Sequence, residues 1–171
     1  MGAKGWTIAT AVVAVIGFAP WAIYLAGLGK LTEVLSDKSV SQALKQTIIM
    51  LEWYTVAAQF VNLILVVILC IARKLNRSHS VLIMFIAVNT ALIIVRATDR
   101  IAQINLIDDG HLPGAALGVP GTLTGKPLSY LRAEACGQVA SATWNFLLAI
   151  MIGIAGTALE EAPAYQQPTV A

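Results

Sequence analysis

Charge is what this sequence has least of. Only 12% of its 171 residues are Asp, Glu, Lys or Arg, while 58% are hydrophobic. Soluble domains carry about 25% charged residues, so the composition excludes an ordinary water-soluble fold. The uncharged stretches lie between Lys4 and Lys30, Glu52 and Arg73, Arg77 and Arg96, and Glu134 and Glu160. We therefore predict a chain that crosses a membrane four times.

Residues that bind metals or attack substrates are also scarce. In a four-span layout His79 and His111, the only histidines, fall on opposite sides of the membrane, which excludes a histidine pair on haem and hinders a zinc site. Cys70 falls on the side away from the carboxylates, so it lacks a base that could activate it. The sequence has no Lys/Arg cluster of the kind that binds nucleic acid. We predict no metal, no cofactor, no catalytic residue and no nucleic-acid partner.

The uncharged windows are long enough to serve as membrane helices, since crossing a bilayer takes roughly 20 apolar residues. We place the spans at about residues 6–28, 47–72, 80–100 and 132–159. This layout predicts an all-α, multi-pass membrane protein, a tetraspan bundle of four transmembrane helices that fills residues 1–159. The polar stretch at residues 160–171 is predicted to be a disordered C-terminal tail.

Proline and the aromatic residues predict local features of the spans. Pro20 has no N–H to donate to Ile16, and Gly17 stands just before it, so we expect a kink in span one. Tryptophan and tyrosine near span ends normally settle among the lipid headgroups. On this basis we predict that the following residues are headgroup anchors: Trp6, Tyr24, Trp53, Tyr54 and Tyr130.

Polar side chains recur on one face of three spans. At about 100° per residue, Asn89, Arg96 and Arg100 share a narrow face of span three, with Asp99 at its edge. Spans two and four have stripes of the same kind. Their members are Glu52, Thr55, Gln59 and Asn62 in span two, and Glu134, Gln138, Ser141 and Asn145 in span four.

The direction of the chain places these stripes at matching depths. Span two begins, span three ends and span four begins on one side of the membrane, called side A. The charged residues should therefore meet near side A, and the asparagines should meet near the middle of the spans. We predict a single polar cluster made of Glu52, Gln59, Asn62, Asn89, Arg96, Asp99, Arg100, Glu134, Gln138 and Asn145.

Two interpretations of this cluster remain open. Hydrogen bonds between helices in membranes contribute about 0.6–2 kcal/mol each, so the cluster can hold the bundle together. Ionisable residues inside spans also mark substrate and ion pathways. The cluster can then line a polar vestibule that is open to side A.

Small residues form a ridge along span four. They recur every four residues: Ala133, Gly137, Ser141, Asn145, Ala149, Gly153 and Thr157. Such ridges allow helix backbones to approach closely, and we assign helix packing to Gly137, Ser141, Ala149 and Gly153. The ridge can pack inside the monomer, or it can bind a protein partner or a second copy through span four, within the lipid bilayer.

Orientation and function follow from these features as expectations. The link RKLNRSHS after span two brings Arg73, Lys74 and Arg77 together, and basic residues in short loops favour the cytoplasmic side. That places both termini in the cytoplasm. We expect a non-enzymatic structural or accessory subunit that acts through helix–helix association. The alternatives are a small transporter or channel component with a polar vestibule, and a membrane-embedded lipid-processing enzyme that uses Glu52 or Glu134 as a base.

Overall fold

The computed structural model describes residues 3–35, 42–109 and 126–158. Five helices account for nearly all of these residues. They are α1 (Ala3–Ile16), α2 (Phe18–Leu35), α3 (Gln42–Ile71), α4 (Leu75–Asp108) and α5 (Lys126–Thr157). Helices α1 and α2 together make span one, and α3, α4 and α5 make spans two, three and four. All four spans are long and apolar enough to cross a membrane, which confirms the predicted all-α, four-span bundle.

The helices extend beyond the predicted spans. Helix α4 begins at Leu75 rather than near residue 80, so most of the RKLNRSHS link belongs to its first turns. The remaining turn is tight: Arg73 has a φ of 54°, and the Lys74 N–H donates to the Leu69 carbonyl at 3.0 Å. An uncharged stretch of sequence marks only the part of a helix that can lie in the hydrocarbon core of a bilayer. The helix itself continues until the backbone turns. The tail at residues 160–171 lies outside the described residues.

The predicted kink in span one occurs at Gly17, where α1 ends and α2 begins. A Cβ atom on Gly17 would lie 2.9 Å from Cδ1 of Trp144, so the absence of a side chain lets the bend rest against α5. The Trp144 indole N–H also donates to the Val13 carbonyl at 2.8 Å. The bend is thus fixed by a contact with span four.

Close packing brings α2 against α5. A Cβ atom on Gly27 would lie 2.6 Å from the Glu134 backbone nitrogen, and one on Gly137 would overlap the backbone of Tyr24. Side chains as large as alanine cannot fit between these two helices without a shift. The two glycines therefore place Tyr24 beside the polar stripe of α5.

The small-residue ridge packs inside the monomer. Gly137 faces α2, Ser141 is buried, and Ala149 packs against the apolar core. A Cβ atom on Gly153 would lie 3.9 Å from Cδ1 of Ile83 in α4. A repeat of four residues advances by about 40° at each step, which explains why the ridge turns from α2 towards α4 along the helix.

The interior has two different halves. Towards the α3–α4 turn it is apolar and is built around Leu63, Val66, Leu82, Leu148 and Ile152. Towards side A, where α3 and α5 begin and α4 ends, the same helices bury polar side chains instead. The fold therefore concentrates its buried polar groups in one half of the bundle.

Candidate functional site

Glu52 of α3 is the centre of the polar half and is 0% exposed. Its Oε1 accepts a hydrogen bond from Arg96 Nε at 3.0 Å and lies 3.3 Å from Arg100 Nη2. Its Oε2 accepts from the Tyr24 hydroxyl at 2.7 Å and from Gln138 Nε2 at 2.9 Å. One carboxylate from α3 thus contacts groups from α2, α4 and α5.

A second buried carboxylate balances the charge. Glu134 Oε1 accepts from Arg100 Nε at 3.3 Å, and both side chains are buried. Glu52 and Glu134 together offset Arg96 and Arg100, so the buried part is electrically neutral. Removing one partner of a buried ion pair leaves an uncompensated charge and is strongly destabilising. We name Tyr24, Glu52, Arg96, Arg100, Glu134 and Gln138 the charged layer.

An amide layer lies deeper in the bundle and is centred on Gln59. Gln59 Nε2 donates to Asn145 Oδ1 at 2.7 Å, and Gln59 Oε1 accepts from Asn89 Nδ2 at 2.8 Å and Asn145 Nδ2 at 2.9 Å. Asn145 Nδ2 also donates to Thr90 Oγ1 at 2.9 Å. These four residues, Gln59, Asn89, Thr90 and Asn145, form the amide layer. Gln59 follows Glu52 by two helical turns, so the layers are separated by about 10 Å.

The structure brings the three polar stripes together, and two residues of the predicted cluster lie outside the resulting layers. Among the described residues Asp99 pairs only with Arg96, whose Nη1 lies 3.3 Å from Asp99 Oδ2, and the Asp99 side chain is 54% exposed at the rim. Asn62 makes no hydrogen bond to the described residues and lies outside both layers. Eight of the ten predicted cluster residues therefore belong to the two layers. Each layer also contains one residue that was not predicted, Tyr24 in the charged layer and Thr90 in the amide layer.

Tyr24 was predicted to be a headgroup anchor, and that prediction is wrong. The residue is fully buried, and its hydroxyl binds Glu52 and lies 2.8 Å from Thr55 Oγ1. The position of an aromatic residue near a span end does not reveal whether a neighbouring helix covers it. Gly27, one turn after Tyr24, is the signal in the sequence that α2 approaches another helix closely. Thr90 carried no signal of its own, because threonine is common in apolar helices.

Three buried atoms on α5 have no hydrogen-bond partner among the described residues. They are Glu134 Oε2, Gln138 Oε1 and Ser141 Oγ. All three face the interior on the polar stripe of α5. The buried polar side chains of α5 therefore have fewer hydrogen bonds per polar atom than the carboxylate of Glu52 has.

A groove runs along the outside of the bundle between α3 and α4. Its volume is about 410 Å³, and it is named here the α3/α4 groove. Its lining is mainly apolar and includes Ala57, Ala58, Val61, Val88 and Leu92. Asn62 and Asn89 are the two amide side chains in this lining. Asn89 thus belongs to the amide layer and also borders the groove.

The arrangement of the charged layer favours fixed charge pairing over chemistry. Glu52, Glu134 and Gln138 are each 0% exposed, and Arg100 is 3% exposed, so water and substrates do not reach these groups in this conformation. A general base must contact the proton that it removes, and the carboxylate oxygens of Glu52 are already occupied by donors. Comparisons with protein-family models, curated proteins and solved structures found no match to this chain.

Proposed function

We propose that this chain is a non-enzymatic integral membrane protein that serves as a structural or accessory subunit through helix–helix association. One observation carries the proposal. The polar side chains of the charged and amide layers bind one another across α2, α3, α4 and α5 and are shielded from solvent. A bundle fixed in this way offers a stable outer surface of apolar helix faces to the bilayer and to other membrane helices.

The same observation argues against a vestibule. A water-filled cavity open to side A would expose Glu52, Glu134 and Gln138, yet all three are fully buried. Arg96 and Asp99 alone bring the cluster towards the surface, with 15% and 54% of their side chains exposed. Transport through this cluster would require its ion pairs to separate. We therefore rank a small transporter or channel component below the accessory subunit.

The lipid-processing enzyme is supported less well. Its base would be Glu52 or Glu134, and each carboxylate is turned inward towards an arginine. A lipid headgroup would have to enter the bundle between packed helices to reach either one.

The proposed orientation keeps both termini in the cytoplasm, because Arg73, Lys74 and Arg77 lie at the α3–α4 turn on the same side as the termini.

Access of water to the cluster tests the proposal without knowledge of a substrate. Ser141→Cys replaces a hydroxyl that is 1% exposed by a thiol of similar size. In a Cys136→Ala background and a sealed vesicle, we expect this thiol to resist a charged methanethiosulfonate reagent applied to side A. Asp99→Cys, at the exposed rim, is the matched control and should react quickly.

The two outcomes are distinct. Protection of the thiol at position 141, together with fast reaction at position 99, supports a closed structural cluster. Comparable reaction rates at both positions mean that water fills the bundle from side A, and the vestibule would then replace the accessory subunit as the better proposal.

A further inference from the structure

A second groove runs along the outside of the bundle, between α1 and α3, towards the α3–α4 turn. Its apolar part has a volume of about 460 Å³. The side chains that line this part include Ile8, Ala11, Val12, Val15, Val67 and Ile71. Thr7, Ile8 and Cys70 line this part and also a pocket of about 250 Å³ at the end of the bundle. The two pockets therefore form one continuous surface, which we name the α1/α3 groove.

The length of the α1/α3 groove matches one leaflet of a bilayer. On α1 the lining extends from Thr7 to Ile16, nine residue steps that cover about 14 Å along the helix axis. This is about half of the hydrocarbon core, which is roughly 30 Å thick. Ile16 is the last residue of α1, so the groove ends at the kink in span one. An acyl chain in the groove would reach from the headgroups to the middle of the membrane.

Two cations line the end pocket of this groove. They are Lys4 and Arg73, and both side chains are exposed. Neither one forms an ion pair with a residue that the structure describes, and no Asp or Glu is among the described residues that line the groove. Arg73 lies two residues beyond the end of α3, where a long basic side chain extends into the headgroup layer. The groove is thus apolar along its length and positively charged at its end.

The backbone at Arg73 gives a second, independent reason to assign a role to this side chain. Its φ of 54° makes it the only residue other than glycine with a positive φ in the part of the chain that the structure describes. Glycine adopts this conformation without strain, whereas a residue with a Cβ atom does not. Strained backbone positions cluster at ligand-binding sites. An arginine at a position that favours glycine is therefore consistent with a binding role for its guanidinium group.

We propose that the α1/α3 groove binds an anionic phospholipid, whose phosphate contacts Lys4 and Arg73 while one acyl chain lies along α1. Charge complementarity selects this occupant, because a zwitterionic lipid would bring its own cation next to the two basic side chains. Basic pockets between membrane helices on the cytoplasmic side bind anionic headgroups, and the proposed orientation places this pocket on that side. The inference is independent of the proposed function, since no residue that lines the groove belongs to the charged layer or the amide layer.

Native mass spectrometry of the full chain tests this preference. After reconstitution in mixed vesicles of phosphatidylcholine and phosphatidylglycerol and release into a maltoside detergent, the protein should retain phosphatidylglycerol in preference to phosphatidylcholine. Titration of phosphatidylglycerol into the delipidated protein then gives a dissociation constant. Lys4→Gln and Arg73→Gly should each raise this constant about five-fold, because each removes one basic residue from the headgroup site.

Two controls separate a local site from general attraction and from misfolding. Arg77→Gln removes a charge near the same turn, but Arg77 does not line the groove, so the dissociation constant should stay within about two-fold of the parent value. In lipid-free detergent, Arg73→Gly should leave the thermal midpoint unchanged or raise it, because glycine relieves the backbone strain. Weaker lipid binding by a variant that is equally stable then reports on the guanidinium group itself.

A bulky substitution tests the apolar part of the groove. Val12 is 52% exposed and lines the groove, so Val12→Trp should fill it and weaken the binding of phosphatidylglycerol. Ile23→Trp is the matched control, because Ile23 is 48% exposed on α2 and lies outside the groove. An excess of sn-glycerol 3-phosphate, which has the phosphate but no acyl chain, should not displace the lipid.

Four results would overturn the proposal. Equal retention of the two lipids, or equal effects of Arg73→Gly and Arg77→Gln, would mean that the groove does not select an anionic headgroup. Displacement of the lipid by sn-glycerol 3-phosphate would assign the end pocket to free phosphate. Loss of the bound lipid from dimers in the same spectra would assign the groove to a second copy of the chain.

Discussion

The amide layer and the α3/α4 groove use the same residue type at neighbouring levels with opposite results. Asn145 in the amide layer binds Gln59 through both ends of its amide and also reaches Thr90. Asn62, less than one turn beyond Gln59 on α3, has no partner among the described residues. The difference is the neighbouring helix: α3 and α4 face Asn145 with the complementary partners Gln59 and Thr90, while no residue that the structure describes pairs with Asn62. An amide within a span therefore has no fixed role until its neighbour is known.

Asn89 stands between these two cases. Its nitrogen belongs to the amide layer, its oxygen is buried and has no partner among the described residues, and the residue also lines the α3/α4 groove. Asn89 therefore marks the boundary between the hydrogen-bonded interior and the α3/α4 groove. This boundary separates the polar groups that pair inside the monomer from those that line the groove, and four substitutions test the separation in order of decreasing effect.

Glu52→Gln should cause the largest loss. The substitution keeps the shape of the side chain but leaves Arg96 and Arg100 with one buried carboxylate in place of two. Removing one partner from a buried ion pair costs about 3–5 kcal/mol, and the free energy of unfolding in mixed SDS micelles measures it. Glu33→Gln removes a carboxylate whose pair with Lys30 is exposed, and it should leave the unfolding midpoint unchanged. A small effect for Glu52→Gln would mean that the charged layer does not stabilise the bundle.

Gly137→Ala should come next. The added methyl group would overlap the Tyr24 backbone, so α2 and α5 must separate and weaken the bond from Tyr24 to Glu52. Such overpacking costs about 1–3 kcal/mol. Gly29→Ala is the matched control, because no atom lies within 4 Å of its new Cβ position. Alanine there should raise the free energy of unfolding by up to about 1 kcal/mol, and equal effects at the two glycines would contradict the close crossing.

Gln59→Leu tests the interior side of the comparison. Leucine fills a similar volume but removes the centre of the amide layer and leaves Asn89 and Asn145 with fewer partners. Each bond between helices in a membrane contributes about 0.6–2 kcal/mol, so we expect a loss of about 2 kcal/mol in the same unfolding measurement. Thermal unfolding followed by far-UV circular dichroism provides an independent readout. A stabilising effect would show that the amides are less important than apolar packing at this level.

The fold could be predicted from the sequence, and so could the way the polar stripes face one another, for a simple reason. Glu52, Arg96 and Glu134 lie on helical faces whose period can be counted, and the chain direction sets their depth. The sequence could not predict which helices come closest. Tyr24 enters the charged layer because Gly27 and Gly137 let α2 and α5 touch, and that contact depends on the three-dimensional crossing. For the same reason the period of α3 placed Asn62 with Glu52 and Gln59, although it lies far enough round the helix to face the groove.

Asn62→Leu should have the smallest effect on the monomer and thereby sharpens the comparison most. Asn62 has no hydrogen bond to lose within the described residues. The free energy of unfolding of the Asn62→Leu variant in detergent should therefore stay within about 0.5 kcal/mol of that of the parent protein. Gln59→Leu, by contrast, should lower the free energy of unfolding by about 2 kcal/mol. If Asn62→Leu instead destabilises the detergent-solubilised monomer as much as Gln59→Leu does, then Asn62 contributes to the interior. The division between a closed cluster and an open groove would then be wrong, since both asparagines would serve the same bundle.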